Sequence, residues 1–312
     1  MEREDNVLKK IFAATIIPLQ SLVIAILLSA CNYGFPIFSY GGTGVEDRAK
    51  TAAELSGDQL PALPNGGKYS FIVLSDSHFG STKSDRAEER FLKTFKELLQ
   101  TPDQSLRPRF IVNLGDTLDG GRSGEADSFN AVRATWIEAG KAALGTSDYK
   151  VYSILGNHDL YNDGWDVWKK KIYPYTSFYK FTLNSGGAAN GGFDFLFLDS
   201  GNGTLGGPQI EDLEKKLRSS ARPKIILTHY PIYAGGIFYF ALGDTEERAR
   251  LISDFAGGNV KYIFEGHYHP YRDFDFGPFK EADVGAYLEK KKFGLVTVDE
   301  TTASVSFTRM GY

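Results

Sequence analysis

A single cysteine, Cys31, stands in the 312 residues of this chain. That excludes an internal disulfide, a Cys-x-x-Cys redox pair and any cysteine-rich zinc site. Neither sign of charge prevails: 35 Lys and Arg stand against 39 Asp and Glu, a formal net of -4, so no strong field points at nucleic acid or at an anionic membrane. A nuclease is disfavoured on the same ground, because tracking a phosphate backbone needs a basic groove. There is no internal repeat and no Gly-rich phosphate loop, and the Gly-Gly pairs fall between elements as turn formers. What the chain does have is apolar bulk, with 42% hydrophobic residues including 23 Phe and 17 Tyr. Such a chain buries a sizeable core, which rules out wholesale disorder and a low-complexity fibre. Its length suits one large domain or two small ones.

Charge is also missing from one local stretch. Lys9 and Lys10 precede an uncharged run from Ile11 to Ala30, most apolar over Leu22 to Leu28 and closed by the small pair Ser29-Ala30. This is the layout of a secretory signal over residues 1–30. The tetrad Leu28-Ser29-Ala30-Cys31 resembles a bacterial lipobox, in which the cysteine is lipidated and becomes the new N-terminus. An uncleaved anchor helix is the competing reading, since about 20 uncharged residues span a bilayer. Under either reading the rest of the chain is exported and held at a membrane, facing the periplasm or the cell surface. Residues 31–67, with Pro36, Gly41-Gly42, Pro61, Pro64 and Gly66-Gly67, read as a tether carrying one short helix near Val45 to Leu55.

From Lys68 to the last residue, Tyr312, strand and helix patterns alternate. Strands are predicted at Tyr69 to Leu74, Phe110 to Leu114, Lys150 to Leu155, Phe178 to Leu183, Phe193 to Leu198, Lys224 to Thr228 and Val260 to Phe264. Helices are predicted at Ser84 to Gln100, within Ala126 to Leu144, around Trp165 to Ile172, at Pro208 to Leu217 and at Thr245 to Phe255, with a β-rich end from Tyr287 to Met310. The alternation defines a layered α/β body.

The five histidines all follow predicted strands: His78 in Asp76-Ser77-His78, His158 in Gly156-Asn157-His158-Asp159, His229 after Leu227-Thr228, and His267 and His269 in Gly266-His267-Tyr268-His269. Gly115-Asp116-Thr117-Leu118-Asp119 ends the second strand. In α/β sheets the C-terminal strand ends converge on the crevice where ligands bind. Imidazole with carboxylate suits Mn, Fe, Zn or Ni, and the set is too large for one ion. A shared carboxylate holds two cations about 3.5 to 4 Å apart. Composition alone yields G-H-x-H about 0.009 times in such a chain. Asp159 reads as a brace for its own loop rather than a ligand.

These blocks, D-x-H, G-D-x-x-D, G-N-H-D, a lone His after a strand and G-H-x-H, resemble the calcineurin-like metallophosphoesterase superfamily over about residues 69 to 270. The resemblance implies a four-layer αββα fold, a two-sheet β-sandwich flanked by helices. It implies two divalent transition-metal ions, one on Asp76, His78, Asp116 and His269, and one on Asn157, His229 and His267 with Asp116 shared. His158 matches the family's catalytic histidine and Asp119 the carboxylate that orients it. Purple acid phosphatases carry a tyrosine where Asp119 stands, so a tyrosinate-bound ferric site is not expected.

The activity so implied is hydrolysis of a small phosphate ester, mono- or diester, by a metal-bridging hydroxide with a histidine general acid, nucleotide-like esters being among the candidate substrates. A metal- or phosphate-binding lipoprotein without catalysis is the alternative. Tyr161, Trp165 and Trp168, and Ile237 to Phe240, follow the site blocks and are read as crevice lining or as lid and core packing. Lys169 to Lys171 reads as a solvated helix face.

Overall fold

The computed structural model describes residues 43–56, 67–81, 87–185, 191–233 and 240–312. Cys31 and the run before it lie outside the described residues, as do Ile237, Phe238 and Tyr239. In chain order the first elements are α1 (Val45–Arg48), β1 (Ala53–Glu54), β2 (Lys68–Leu74), α2 (Ala87–Leu99), β3 (Pro108–Asn113), α3 (Ser123–Leu144), β4 (Lys150–Ser153) and α4 (Gly164–Lys171). Then come β5 (Tyr179–Leu183), β6 (Phe193–Phe197), α5 (Gly207–Arg218), β7 (Lys224–Leu227), α6 (Thr245–Gly257) and β8 (Val260–Glu265). The last are β9 (Arg272–Asp275), β10 (Lys280–Asp283), α7 (Tyr287–Lys290), β11 (Lys292–Asp299) and β12 (Ser304–Gly311). The predicted elements from Lys68 onward are present, with ends moved by a few residues.

Two mixed sheets result, ordered β12-β11-β2-β3-β4 and β1-β5-β6-β7-β8-β10-β9. The site-bearing strands are parallel within each sheet: β2, β3 and β4 in the first, β7 and β8 in the second. Their apolar residues run consecutively because both faces of each sheet are covered. Along β2, Phe71 and Val73 enter the core between the sheets, while Ile72 and Leu74 pack under the helices. Phe71 stacks on Phe110 across the parallel pair, ring centroids 4.7 Å apart, worth about 0.5 to 1.5 kcal/mol beyond burial. Phe91, Phe95, Trp136 and Trp168 from α2, α3 and α4 cover the outer face of the first sheet. Ile210, Leu213, Leu251 and Phe255 from α5 and α6 cover that of the second. The order is helices, sheet, sheet, helices.

Helix ends follow local chemistry. Asp244 caps α6, its carboxylate accepting from the Glu246 and Glu247 amides. Pro208 sits in the first turn of α5, where its missing N–H costs nothing.

One expectation needs correction, and one pair of strands falls outside the predicted set. Part of the segment read as tether is folded against the body: Val45, Ala49 and Ala52 are buried in the α5/α6 layer, β1 pairs with β5, and the buried Arg48 guanidinium grips Asp199 at 2.6 Å. The apolar residues that dock are few and small, so the surrounding Pro and Gly dominated the composition. The β9–β10 hairpin was also not foreseen, because Arg-Asp-Phe-Asp and Lys-Glu-Ala-Asp carry charge where strands normally carry apolar residues. β10 nonetheless buries Glu281 and Asp283.

Candidate metal centre

β2, β3, β4, β7 and β8 each end one residue or a few before a block carrying histidine or aspartate, and the blocks of both sheets meet in one place. Asp76, His78, Asp116, His267 and His269 all adopt positive φ, between 42° and 65°. Non-glycine residues rarely do so, and held strain of this kind gathers at functional sites. Close approach is secured by glycine. At Gly115, φ is 91° and a Cβ would fall 2.6 Å from the His229 ring; at Gly156 it would fall 2.2 Å from the Asp116 amide.

The two oxygens of Asp116 face different partners. Oδ2 lies 4.0 Å from His78 Nε2, and Oδ1 lies 3.3 Å from His229 Nε2. On one side, His269 Nε2 is 3.5 Å from Asp76 Oδ1. On the other, His229 Nε2 is 3.2 Å from Asn157 Oδ1. Donor atoms of Asp76, His78 and His269 lie within 4.8 Å of one another, as do those of Asp116, His229 and His267, and those of His78, Asp116 and His158. All seven expected ligands and His158 are thus brought together.

The donor set fits cations on physical grounds. Among the described residues, buried Asp76 Oδ1 and both ring nitrogens of His78 have no hydrogen-bond partner, a costly arrangement unless a further group satisfies them. Burial lowers the His78 pKa, against the pull of Asp116 and Asp76. Burial, followed by the charge of His229, brings His267 down to about 3. Both rings are therefore neutral at physiological pH, the form in which imidazole binds a cation. For His229 burial opposes charging, but Asp116 beside it, then Asp76 and the Leu114 carbonyl, push it up to about 9. Asp116 is correspondingly held well below the usual carboxylate range, burial being outweighed by His229, His158 and His78. A cation at this pair takes the place of the His229 proton.

Supporting contacts fix the rings. His229 Nδ1 donates to the Leu114 carbonyl at 2.8 Å, and His269 Nδ1 donates to Glu289 Oε2 at 2.7 Å. His158 Nδ1 donates to the main-chain carbonyl of Asp119 at 2.8 Å. The expectation that the Asp119 carboxylate orients His158 is therefore corrected: that carboxylate lies 3.5 Å from His78 Nδ1 instead. The tight turn after β3 presents the carbonyl first and sends the side chain toward the first cluster. Asp159 braces loops, accepting from the Leu118 and Gly156 amides at 2.8 and 2.9 Å. Burial and then Asp116 raise it to about 7.

Glu289 was missed by sequence reasoning, since nothing in its local pattern ties it to His269. Tyr161 lies beside His158, ring centroids 4.7 Å apart, and Phe240 beside His267. Trp168 is buried in the helix-side core and Trp165 packs against it, so neither lines the centre. Lys169 and Lys170 pair with Asp166, and Lys171 with Asp127, as a charged surface.

An αββα sandwich with two oxygen-and-imidazole clusters sharing an aspartate at its strand ends defines a metallophosphoesterase architecture. A family model for calcineurin-like phosphoesterases matches residues 69–271, and the chain belongs to that family. A probable cyclic nucleotide phosphodiesterase of Fibrobacter succinogenes is 26% identical over 203 residues, covering 63% of this chain and 71% of the relative. Among solved structures, GAP50, the anchor in the inner membrane complex of Plasmodium, aligns with a TM-score of 0.58 at 16% identity, covering 78% of this chain and 84% of that one. A dimetal phosphatase of Danio rerio aligns at 0.53 and 13%, covering 77% and 98%. At these identities the structural likeness establishes the fold alone.

Proposed function

We propose that this protein hydrolyses phosphate esters with two divalent transition-metal ions, of the group Mn, Fe, Zn and Ni. The observation that carries the reading is Asp116, whose two oxygens face the two donor clusters at 4.0 and 3.3 Å. Asp76, His78, Asp116 and His269 would hold one ion, and Asp116, Asn157, His229 and His267 the other. When bound, such a pair neutralises phosphoryl oxygens and makes water a nucleophile at neutral pH.

The chain's own residues supply the remaining chemistry. Because His158 Nδ1 donates to the Asp119 carbonyl, that nitrogen keeps its proton, and a proton for a departing alkoxide would come from Nε2 of the doubly protonated ring. Glu289 does for His269 what the Leu114 carbonyl does for His229, aiming Nε2 into the centre. A binding protein on this fold would need the donor clusters but not a fixed His158, which favours the enzyme over the non-catalytic alternative. The named relative supports a nucleotide-type diester as substrate.

Hydrolysis should appear when purified protein is loaded in turn with Mn, Zn, Fe or Ni and given a panel of phosphate mono- and diesters, and should vanish on chelation. No turnover of any ester with both ions bound would favour the binding protein.

Export and lipid attachment through Cys31 form part of the same proposal, supported by the lipobox-like tetrad. Labelled fatty acid should enter the wild type and not Cys31→Ala. Retention of residues 1–30 without label would instead favour the anchor helix.

A further inference from the structure

Four large hydrophobic side chains are exposed among the described residues: Tyr175, Tyr233, Phe240 and Tyr271. Of these, Phe240 lies beside the candidate centre, whereas Tyr233 packs on Phe274 and Phe276 and Tyr271 on Arg309. Phe240 stands 6.1 Å from the His267 ring, centroid to centroid. It meets Tyr268 edge to face at 5.1 Å and 68°. The Arg272 guanidinium lies 4.8 Å from the Tyr268 ring centroid, and its Nη2 donates to the Tyr268 hydroxyl at 2.8 Å.

His267 does not need Phe240 for support. Its ring is stacked on buried Tyr230, centroids 3.8 Å apart and planes at 29°. Phe240 keeps 38% of its surface in water, although a ring serving the core would be inside. Tyr268 stands between two expected ligands in sequence, so its position is set by the centre itself, and Arg272 fixes its ring. Two fixed rings, partly wet and one neighbour away from a ligand, form a surface on which a flat π-system stacks.

We propose that Phe240 and Tyr268, the latter held by Arg272, form a subsite that receives the base of a nucleoside phosphate ester whose phosphate occupies the candidate centre. This rests on the phosphoesterase reading above. Phosphate and base are separated by one ribose, and the Phe240 ring lies 6.1 Å from that of His267, centroid to centroid.

The test compares binding of AMP and ribose 5-phosphate to Mn-loaded full-length protein by titration calorimetry, because the two ligands differ chiefly by the base. The wild type should bind AMP about 5- to 100-fold more tightly. Phe240→Ala should erase that advantage, and Phe240→Tyr, which keeps the ring, should retain it. Unaltered melting temperatures check that both variants are folded. Equal affinities in the wild type, or an AMP advantage that survives in Phe240→Ala, overturn the subsite. In parallel, the ratio of kcat/KM for cyclic AMP to that for glycerophosphoglycerol should fall by a similar factor in Phe240→Ala. If the wild type cleaves neither of these two diesters, the wider ester panel decides the phosphoesterase reading, and the calorimetric comparison still decides the subsite. Binding of neither ligand overturns the subsite.

Discussion

His158 and Asp119 meet through the main chain: His158 Nδ1 donates to the Asp119 carbonyl at 2.8 Å, while the Asp119 carboxylate turns to within 3.5 Å of His78 Nδ1. A carbonyl fixes the tautomer of His158 without contributing a full charge. Replacing the Asp119 side chain leaves that main-chain acceptor in the sequence. The consequence of losing the carboxylate should fall on the cluster that holds His78.

Asp119→Asn should therefore weaken one metal by about 10-fold or more and leave the pH profile of turnover in place. Metal titration and a pH–rate series read the two effects separately. A displaced pH profile with both metals bound normally would mean that the carboxylate acts on His158 after all.

Asp116 and His78 separate shared from private ligation. Asp116→Asn should lower the metal content of both clusters, whereas His78→Ala should deplete only its own. Elemental analysis after incubation with excess Mn distinguishes the two. A wild type holding one ion or none per chain under those conditions is incompatible with a dinuclear centre.

Glu289 gives His269 a carboxylate partner where His229 and His158 have carbonyls. A neighbouring carboxylate raises the donor strength of a ligating imidazole, and its loss typically costs about 10- to 100-fold in metal affinity. Glu289→Gln should show that loss for one ion of the pair in equilibrium dialysis. Unchanged affinity for both ions would reduce Glu289 to a surface residue.

Buried carboxyls on the β8–β10 pair should make the metal-free protein sensitive to pH. Burial first, then Glu281 and Asp76, raise Asp283 to about 9, against the pull of Arg309 and Arg272. The folded value lies above the unfolded one of about 4. Its contribution to stability is whole below about 4 and declines as pH rises toward about 9, because only the unfolded state releases the proton freely. Thermal melts of metal-free protein should fall across that window, and Asp283→Asn should flatten the slope. An Asp283→Asn protein whose melts keep the wild-type slope would show that Asp283 is not the group responsible.

The core sheets were legible because both faces of each are covered: Phe71-Ile72-Val73-Leu74 and Ile225-Ile226-Leu227 read as apolar runs whichever way each side chain points. The ligands were legible because parallel strands deliver their loops to one edge, so a histidine just past a strand is already placed. β9 and β10 were not, since their charges disguise the period. Nor was the docking of 43–56, which rests on long-range contacts that no local pattern announces, among them the β1–β5 pairing and the Arg48–Asp199 and Lys216–Glu54 ion pairs. The roles of Glu289 and of the Asp119 carbonyl depend on where a helix and a turn come to rest, and no sequence spacing encodes that.

The most direct test of His158 as the proton donor at this centre is its dependence on the leaving group. An alkoxide needs a proton to depart and a nitrophenolate hardly does, so His158→Ala should lose about 10² to 10⁴ in kcat on an alkyl phosphate ester and distinctly less on a nitrophenyl ester, with both metals retained. Equal losses on the two esters would contradict that role and leave His158 as an electrostatic or binding residue.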